Sequence, residues 1–269
     1  MTSDDPRVHR RDALRAIGAT AIAAPIAGCT SIGALTGSDG GSKPDGVVLG
    51  PPENYERRAD IDLPHPEYGQ SLPDVTVPAP LHDRELSTRG FVGDRHVMLT
   101  FIYTSCQTVC PGLTAALRRV QADSIEAEYA DQVAFLPTTF DPAYDTGSVL
   151  AEYGDSMGVD DTAGNWYFLR PESPERARTV VDETFGVAFE RAEQDDGGED
   201  GESGDGTDQS GMDDGGNESN HDDGHSRMFV HSSLILIANA DGVVERAYTG
   251  GPPTPGTLVD EMQTIVDRW

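Results

Sequence analysis

Residues 96–103 read His-Val-Met-Leu-Thr-Phe-Ile-Tyr, a nearly continuous run of β-prone side chains. A run that is apolar at both alternating positions predicts a strand buried on both faces, at the middle of a sheet. The pattern changes after it. Residues 104–112 carry turn composition, and from Leu113 to Tyr129 the apolar positions Leu113, Leu117, Val120 and Ile125 trace one stripe of a helix. A second buried strand is expected over 132–137. A second helix follows over 146–157, with Val149, Leu150 and Tyr153 available for its inner face. Shorter signals predict strands at 74–77, 166–169 and 186–190 and a helix over 174–185. The run 233–238 and its partner 242–248 flank the turn Asn239-Ala240-Asp241-Gly242, a hairpin pattern. Residues 257–269 close the chain as a helix behind Pro253-Thr254-Pro255. Strands alternating with helices, ended by a hairpin and a helix, predict an α/β fold: a central mixed β-sheet flanked by helices.

Two stretches break this texture. Residues 191 to about 227 are nearly all Asp, Glu, Gly, Ser and Asn, with no aliphatic side chain larger than Ala192 before Met212. Such a stretch has nothing with which to form a core, and a disordered acidic insertion inside the domain is expected. Residues 30–70 are rich in Gly, Ser, Pro and charge without sustained periodicity, and predict a flexible tether. The domain proper is then 71–269.

The N-terminus reads as an address. Arg10-Arg11 precedes a short apolar run over 16–28 that ends Ile26-Ala27-Gly28-Cys29. The twin arginine resembles Tat export signals, and the exit resembles a lipobox. Residues 1–29 are thus expected to be a Tat-type lipoprotein signal, with Cys29 as the lipidated residue. The protein would stand at the extracytoplasmic face of the cell membrane, held by its lipid anchor. The run is short for a permanent membrane helix.

Charge sharpens the setting. The chain carries 47 acidic against 19 basic residues, a net of -28, and its single lysine is Lys43. It would repel phosphate backbones, which argues against a nucleic-acid partner. An acidic, nearly lysine-free surface suits concentrated salt, where screening relieves self-repulsion, so a halophilic setting is expected. Unfolding the protein across a salt series tests this, with structure lost at low salt as the expected outcome.

The chain has three cysteines, too few for a disulfide scaffold. Cys106 and Cys110 lie between a buried strand and a helix. A helix N-terminus stabilises thiolate through its unpaired N–H groups and its dipole. Three intervening residues let both sulfurs face one side, able to close a disulfide or to grip one metal ion. Two buried structural cysteines are the plain alternative. Of seven histidines, His231 stands just before a core strand, in Phe229-Val230-His231-Ser232-Ser233. For any one histidine taken alone, a satisfied surface role is the ordinary reading. Thiolates with imidazole suit Cu(I), Cu(II) or zinc, and a redox-capable pair on an exported chain favours copper.

Three motifs in order resemble the Sco/SenC family of copper-delivery proteins: Phe101-Ile102-Tyr103-Thr104-Ser105-Cys106-Gln107-Thr108-Val109-Cys110-Pro111, then Asp141-Pro142-Ala143-Tyr144-Asp145-Thr146, then Val230-His231-Ser232-Ser233 followed by Asp241-Gly242. The resemblance implies a thioredoxin-like fold and copper held by Cys106, Cys110 and His231. It implies a chaperone role in assembling the copper centre of cytochrome c oxidase, whose copper-binding subunit would be the partner. Asp141 and Asp145 match a family motif without being family metal ligands, and a capping role for Asp145-Thr146 is expected. Gln107 stands where the family usually has proline. The insertion before His231 is also unusual. It holds Met212, His221, His225 and Met228, which could capture copper transiently or could simply belong to a solvated loop.

The alternative function is an enzyme, a thiol–disulfide reductase that keeps the acceptor's cysteines reduced, with Cys106 and Cys110 as its redox-active disulfide. Thioredoxin-type oxidoreductases place a cis-proline before the strand facing the dithiol. Here that position has no proline and His231 is near it, which tilts the reading toward metal.

Overall fold

A computed structural model of the chain describes residues 44–53, 55–58, 61–192, 228–254 and 256–269. The export signal with Cys29, the first part of the expected tether, and residues 193–227 with Met212, His221 and His225 lie outside the described residues. All described residues belong to one compact unit spanning 41–269.

A four-residue helix α1 (Tyr55–Arg58) comes first. Then follow β1 (Thr76–Ala79) and β2 (Arg84–Ser87), which pair antiparallel, and the central strand β3 (His96–Ile102). Helix α2 (Val109–Glu126) leads to β4 (Val133–Thr139), helix α3 (Gly147–Met157), and helix α4 (Pro174–Ala177), which continues as a π-helix over Arg178–Thr184. Strands β5 (Phe189–Arg191) and β6 (Phe229–His231) flank the acidic insertion. Strands β7 (Leu234–Ala238) and β8 (Val244–Thr249) and helix α5 (Thr257–Arg268) end the chain.

The main sheet has the order β4-β3-β7-β8. β3 runs parallel to β4 and antiparallel to β7, so the sheet is mixed, as the alternation of elements predicts. Every residue of β3, β4 and β7 is buried, which is why these strands read as continuous apolar runs. Helix α2 packs on β3 and β4 and against α3 and α5. Phe185, just beyond the π-helix, meets Phe101 of β3 at 5.1 Å between ring centroids. The fold is thioredoxin-like.

Several expectations shift in detail. The run 166–169 joins the sheet only through parallel bridges Phe135–Trp166 and Thr138–Leu169 beside β4. The helix expected over 174–185 begins with Ser173 capping the Arg176 N–H, then widens. Thr184 Oγ1 donates to the Thr179 carbonyl, five residues back, at 2.8 Å within that wider turn. β2 and β6 carry no alternating apolar signal and were not expected. β6 has Val230 exposed between half-buried Phe229 and His231.

The largest change concerns the segment before the domain. Residues 44–70 belong to the packed structure rather than to a free tether. Val47 and Leu49 are buried. The carboxylate of Glu245, itself fully buried on β8, accepts the N–H groups of Val48 (2.6 Å) and Leu49 (2.9 Å) and the Asn239 amide (2.6 Å). Asn239 also donates to the Gly46 carbonyl, and Tyr68 Oη to that of Leu49. Further along, Gly186 sits at φ +67°, and a Cβ there would come within 2.2 Å of the Pro64 carbonyl oxygen. Only glycine permits that approach.

Candidate metal centre

β3 delivers the chain through Tyr103 into a tight turn, where the Cys106 N–H donates to the Tyr103 carbonyl at 3.2 Å. α2 begins at Val109, four residues before the predicted start, so Cys110 lies in its first turn. Thr108 holds the N-cap position but makes no side-chain cap. Its hydroxyl lies 3.5 Å from the Cys106 sulfur instead. Both cysteines are buried, free thiols, with Cys106 4% exposed and Cys110 fully enclosed.

His231 arrives from the other side. β6 pairs with β5 in register Phe189–His231, Glu190–Val230 and Arg191–Phe229, and this pair is a two-stranded sheet apart from the main one. Two further main-chain bonds extend the ladder, Ala192 N–H to Met228 and Ser232 N–H to Ala188. The imidazole rests on aromatic rings, with Phe140 at 5.0 Å and Tyr103 at 5.7 Å and 86°. Phe189 stacks on Phe140 at 4.8 Å. The His231 Nδ1–H donates to the Ser232 carbonyl at 2.9 Å. A carbonyl can only accept, so this bond places the proton on Nδ1 and leaves Nε2 as the donor atom for a metal.

That Nε2 faces the cysteines, 3.8 Å from the Cys110 sulfur. The two sulfurs and a ring nitrogen of His231 all lie within 4.8 Å of one another. The structure therefore brings together the three residues singled out from the sequence. Met228 is exposed, and strand alternation sets it with Val230 on the face opposite Phe229 and His231. A cleft of about 540 Å³ opens beside His231, lined also by His65, Val109, Ser232 and Leu234.

The thiols are unequal. A hydrogen bond from the Cys110 thiol, joined by His231, Thr108 and the Cys110 N–H, outweighs burial and holds Cys106 far below the usual thiol range. The same bond to Cys106, with burial, pushes Cys110 up. The pair thus shares one proton, with the negative charge on Cys106. Burial pulls His231 down, but its contact with the Cys106 sulfur and its bond to Ser232 raise it on balance.

The Asp-Pro-x-x-Asp-Thr segment does more than cap. Thr146 is the N-cap of α3, accepting the Val149 N–H at 3.4 Å. Asp145 takes no part in that cap, which corrects the role expected for it. Its carboxylate is fully buried and turned under the cysteine turn. It accepts the Thr104 N–H (3.2 Å) and the hydroxyls of Thr104 and Thr139. Burial raises its pKa to about 6, against the pull of those bonds. Asp141 lies buried beneath Arg191, 3.9 Å from its guanidinium. The motif was visible in the sequence. Its partner Thr104, 41 residues away, was not.

Residues 82–205 match the SCO1/SenC family model. That stretch holds Cys106, Cys110, Asp141 and Asp145 and ends before His231. No curated protein sequence matches the chain. Among solved structures, the chain is similar to a SCO1/SenC family lipoprotein from Bacillus anthracis str. Ames, at 18% identity and TM-score 0.52, over 76% of this chain and 99% of that one. It is similar to copper-bound ScoI of Arabidopsis thaliana at 15% identity and TM-score 0.50, over 74% of this chain and 99% of that one. Copper-bound yeast Sco1 gives 17% identity and TM-score 0.50, over 74% of this chain and 91% of the yeast chain.

Proposed function

From the premise that the chain carries a SCO1/SenC domain of thioredoxin-like fold, we propose that it is a copper metallochaperone. It holds Cu(I) or Cu(II) through Cys106, Cys110 and His231 and passes it to the copper-binding subunit of cytochrome c oxidase. One observation carries the reading: two free sulfurs and an imidazole nitrogen converge within 4.8 Å. Soft thiolates with one imidazole form a donor set that suits copper. Three ligands leave coordination positions for a partner's groups, and the cleft beside His231 gives those groups room to enter. Transfer is then ligand exchange, with copper as cargo.

In this reading Cys29 bears the lipid and residues 1–29 are removed or anchored as a Tat-type signal, which puts the domain on the outer face of the membrane. The printed description of the Bacillus anthracis relative as a lipoprotein supports the anchor. No helix among the described residues is long and apolar enough to cross a membrane.

Titration of the reduced protein and of His231→Ala with Cu(II), followed by ultraviolet–visible absorption, tests the proposal. A thiolate-to-copper charge-transfer band at one equivalent, lost or strongly weakened in His231→Ala, is expected. Absence of a band in the parent protein would reject it.

The inequality of the thiols favours one second reading, a thiol–disulfide reductase acting on the acceptor's cysteines. Cys106 is both the more acidic and the less enclosed of the two, and so is the attacking thiol. Under this reading Cys110→Ser accumulates a mixed disulfide between Cys106 and the acceptor.

A further inference from the structure

Tyr103 follows directly on β3 and stands under both ligand-bearing elements. Its ring meets Phe229 at 5.0 Å and the His231 imidazole edge-on. Its hydroxyl oxygen accepts the Phe229 N–H at 3.4 Å and lies within hydrogen-bonding reach of the Cys106 sulfur. Its own main chain bonds to the Cys110 sulfur. A phenol has one proton to give and lone pairs to receive. The lone-pair side is taken by Phe229, so the O–H is left for an acceptor. Tyr103 is buried, and a buried hydroxyl without an acceptor is costly. The Cys106 thiolate is an acceptor of the right kind, and a hydrogen bond to an ionised sulfur is stronger than one to a neutral group.

We propose that Tyr103 is a positioning residue of the copper site, whose hydroxyl donates to the Cys106 sulfur while accepting from Phe229, so that one side chain ties the cysteine turn to the histidine strand and tempers the ligand sulfur. The proposal builds on the copper reading, but its effect on the thiolate exists without metal. A hydrogen bond to the thiolate stabilises the reduced pair. Reduction runs as disulfide plus two glutathione thiols giving Cys106 thiolate, Cys110 thiol, one proton and glutathione disulfide. Two electrons pass from the glutathione sulfurs to the protein sulfurs. With metal bound, the same bond lowers the energy of the sulfur electrons, which raises the charge-transfer energy to Cu(II).

Tyr103→Phe keeps the ring and removes the hydroxyl. In the copper-free protein, the equilibrium constant for reduction by glutathione is expected to fall about tenfold, which is about 30 mV for a two-electron couple. In the Cu(II)-loaded protein the charge-transfer band is expected to move to longer wavelength, at unchanged stoichiometry. The Phe229 amide is expected to exchange with solvent faster. A purely packing role moves none of these, because the ring is retained. A glutathione constant within twofold of the parent protein overturns the proposal, whatever the band does. If the parent protein binds no copper, the metallochaperone reading falls while the glutathione measurement still decides the role of Tyr103.

Discussion

The two halves of the metal centre are supported in opposite ways. Cys106 and Cys110 leave the end of β3, which has seven residues, all buried, with β4 on one side and β7 on the other. His231 ends β6, which has three residues and pairs only with β5, and whose middle residue Val230 is 73% exposed. The dithiol is therefore fixed by the fold itself. The imidazole is fixed by a short ladder and by the rings of Tyr103, Phe140 and Phe229. Such a division suits transfer: one half keeps its geometry while the other can be biased by small changes in packing.

Matching truncations on each half put this contrast to the test. Phe101→Ala, on β3, is expected to cost about 3–5 kcal/mol in denaturant unfolding, as for other fully buried phenylalanines. Phe229→Ala, on β6, should cost only about 1–2 kcal/mol, yet shift the copper spectrum, because it removes a ring beside His231. Equal costs would erase the distinction between the halves.

Asp145 sharpens it from below the cysteine turn. Its folded-state pKa of about 6 stands above the ordinary value of 3.8, so folding takes up a proton between those pH values. Its contribution to stability should therefore rise as pH falls from 7 to 4, by about 3 kcal/mol at 1.36 kcal/mol per unit. The difference in unfolding free energy between the parent protein and Asp145→Asn, measured at both pH values, reads this out. A difference that shrinks toward acid contradicts it.

The smallest expected effect is a near absence of change. With the pair's charge held on Cys106, its alkylation by iodoacetamide should stay within about twofold from pH 8 to pH 5. An ordinary thiol of pKa about 8.5 loses roughly tenfold per unit over that range. Loss at the ordinary rate would mean that the pair does not hold a thiolate.

The same contrast separates what the sequence makes legible from what it does not. β3, β4 and β7 are legible because burial on both faces writes a continuous apolar run, and α2 because its stripe recurs at helical spacing. The position of Cys106 and Cys110 follows from that strand and helix. β6 is not legible, since three residues with one exposed give no period. Asp145 misled because its sequence neighbours offer a cap while its true partners, Thr104 and Thr139, come from other strand ends. The segment over 44–50 misled for a similar reason. Its Gly-Pro composition signals a loose chain, but the group that holds its N–H donors, Glu245, is 197 residues away from Val48.

That grip by Glu245 bears on geometry outside the domain. On the anchoring proposed above, a leash free up to Leu72 would have about 43 residue steps from Cys29 and reach at most ~150 Å. Fastening Gly46 to Leu49 onto β8 leaves about 17 steps and a reach of at most ~60 Å. The volume searched shrinks accordingly, and the effective concentration of the site toward a membrane-embedded acceptor within reach rises roughly fourfold by the −3/2 power of length. One buried carboxylate on the last strand thus sets how far from the bilayer the cargo can be offered.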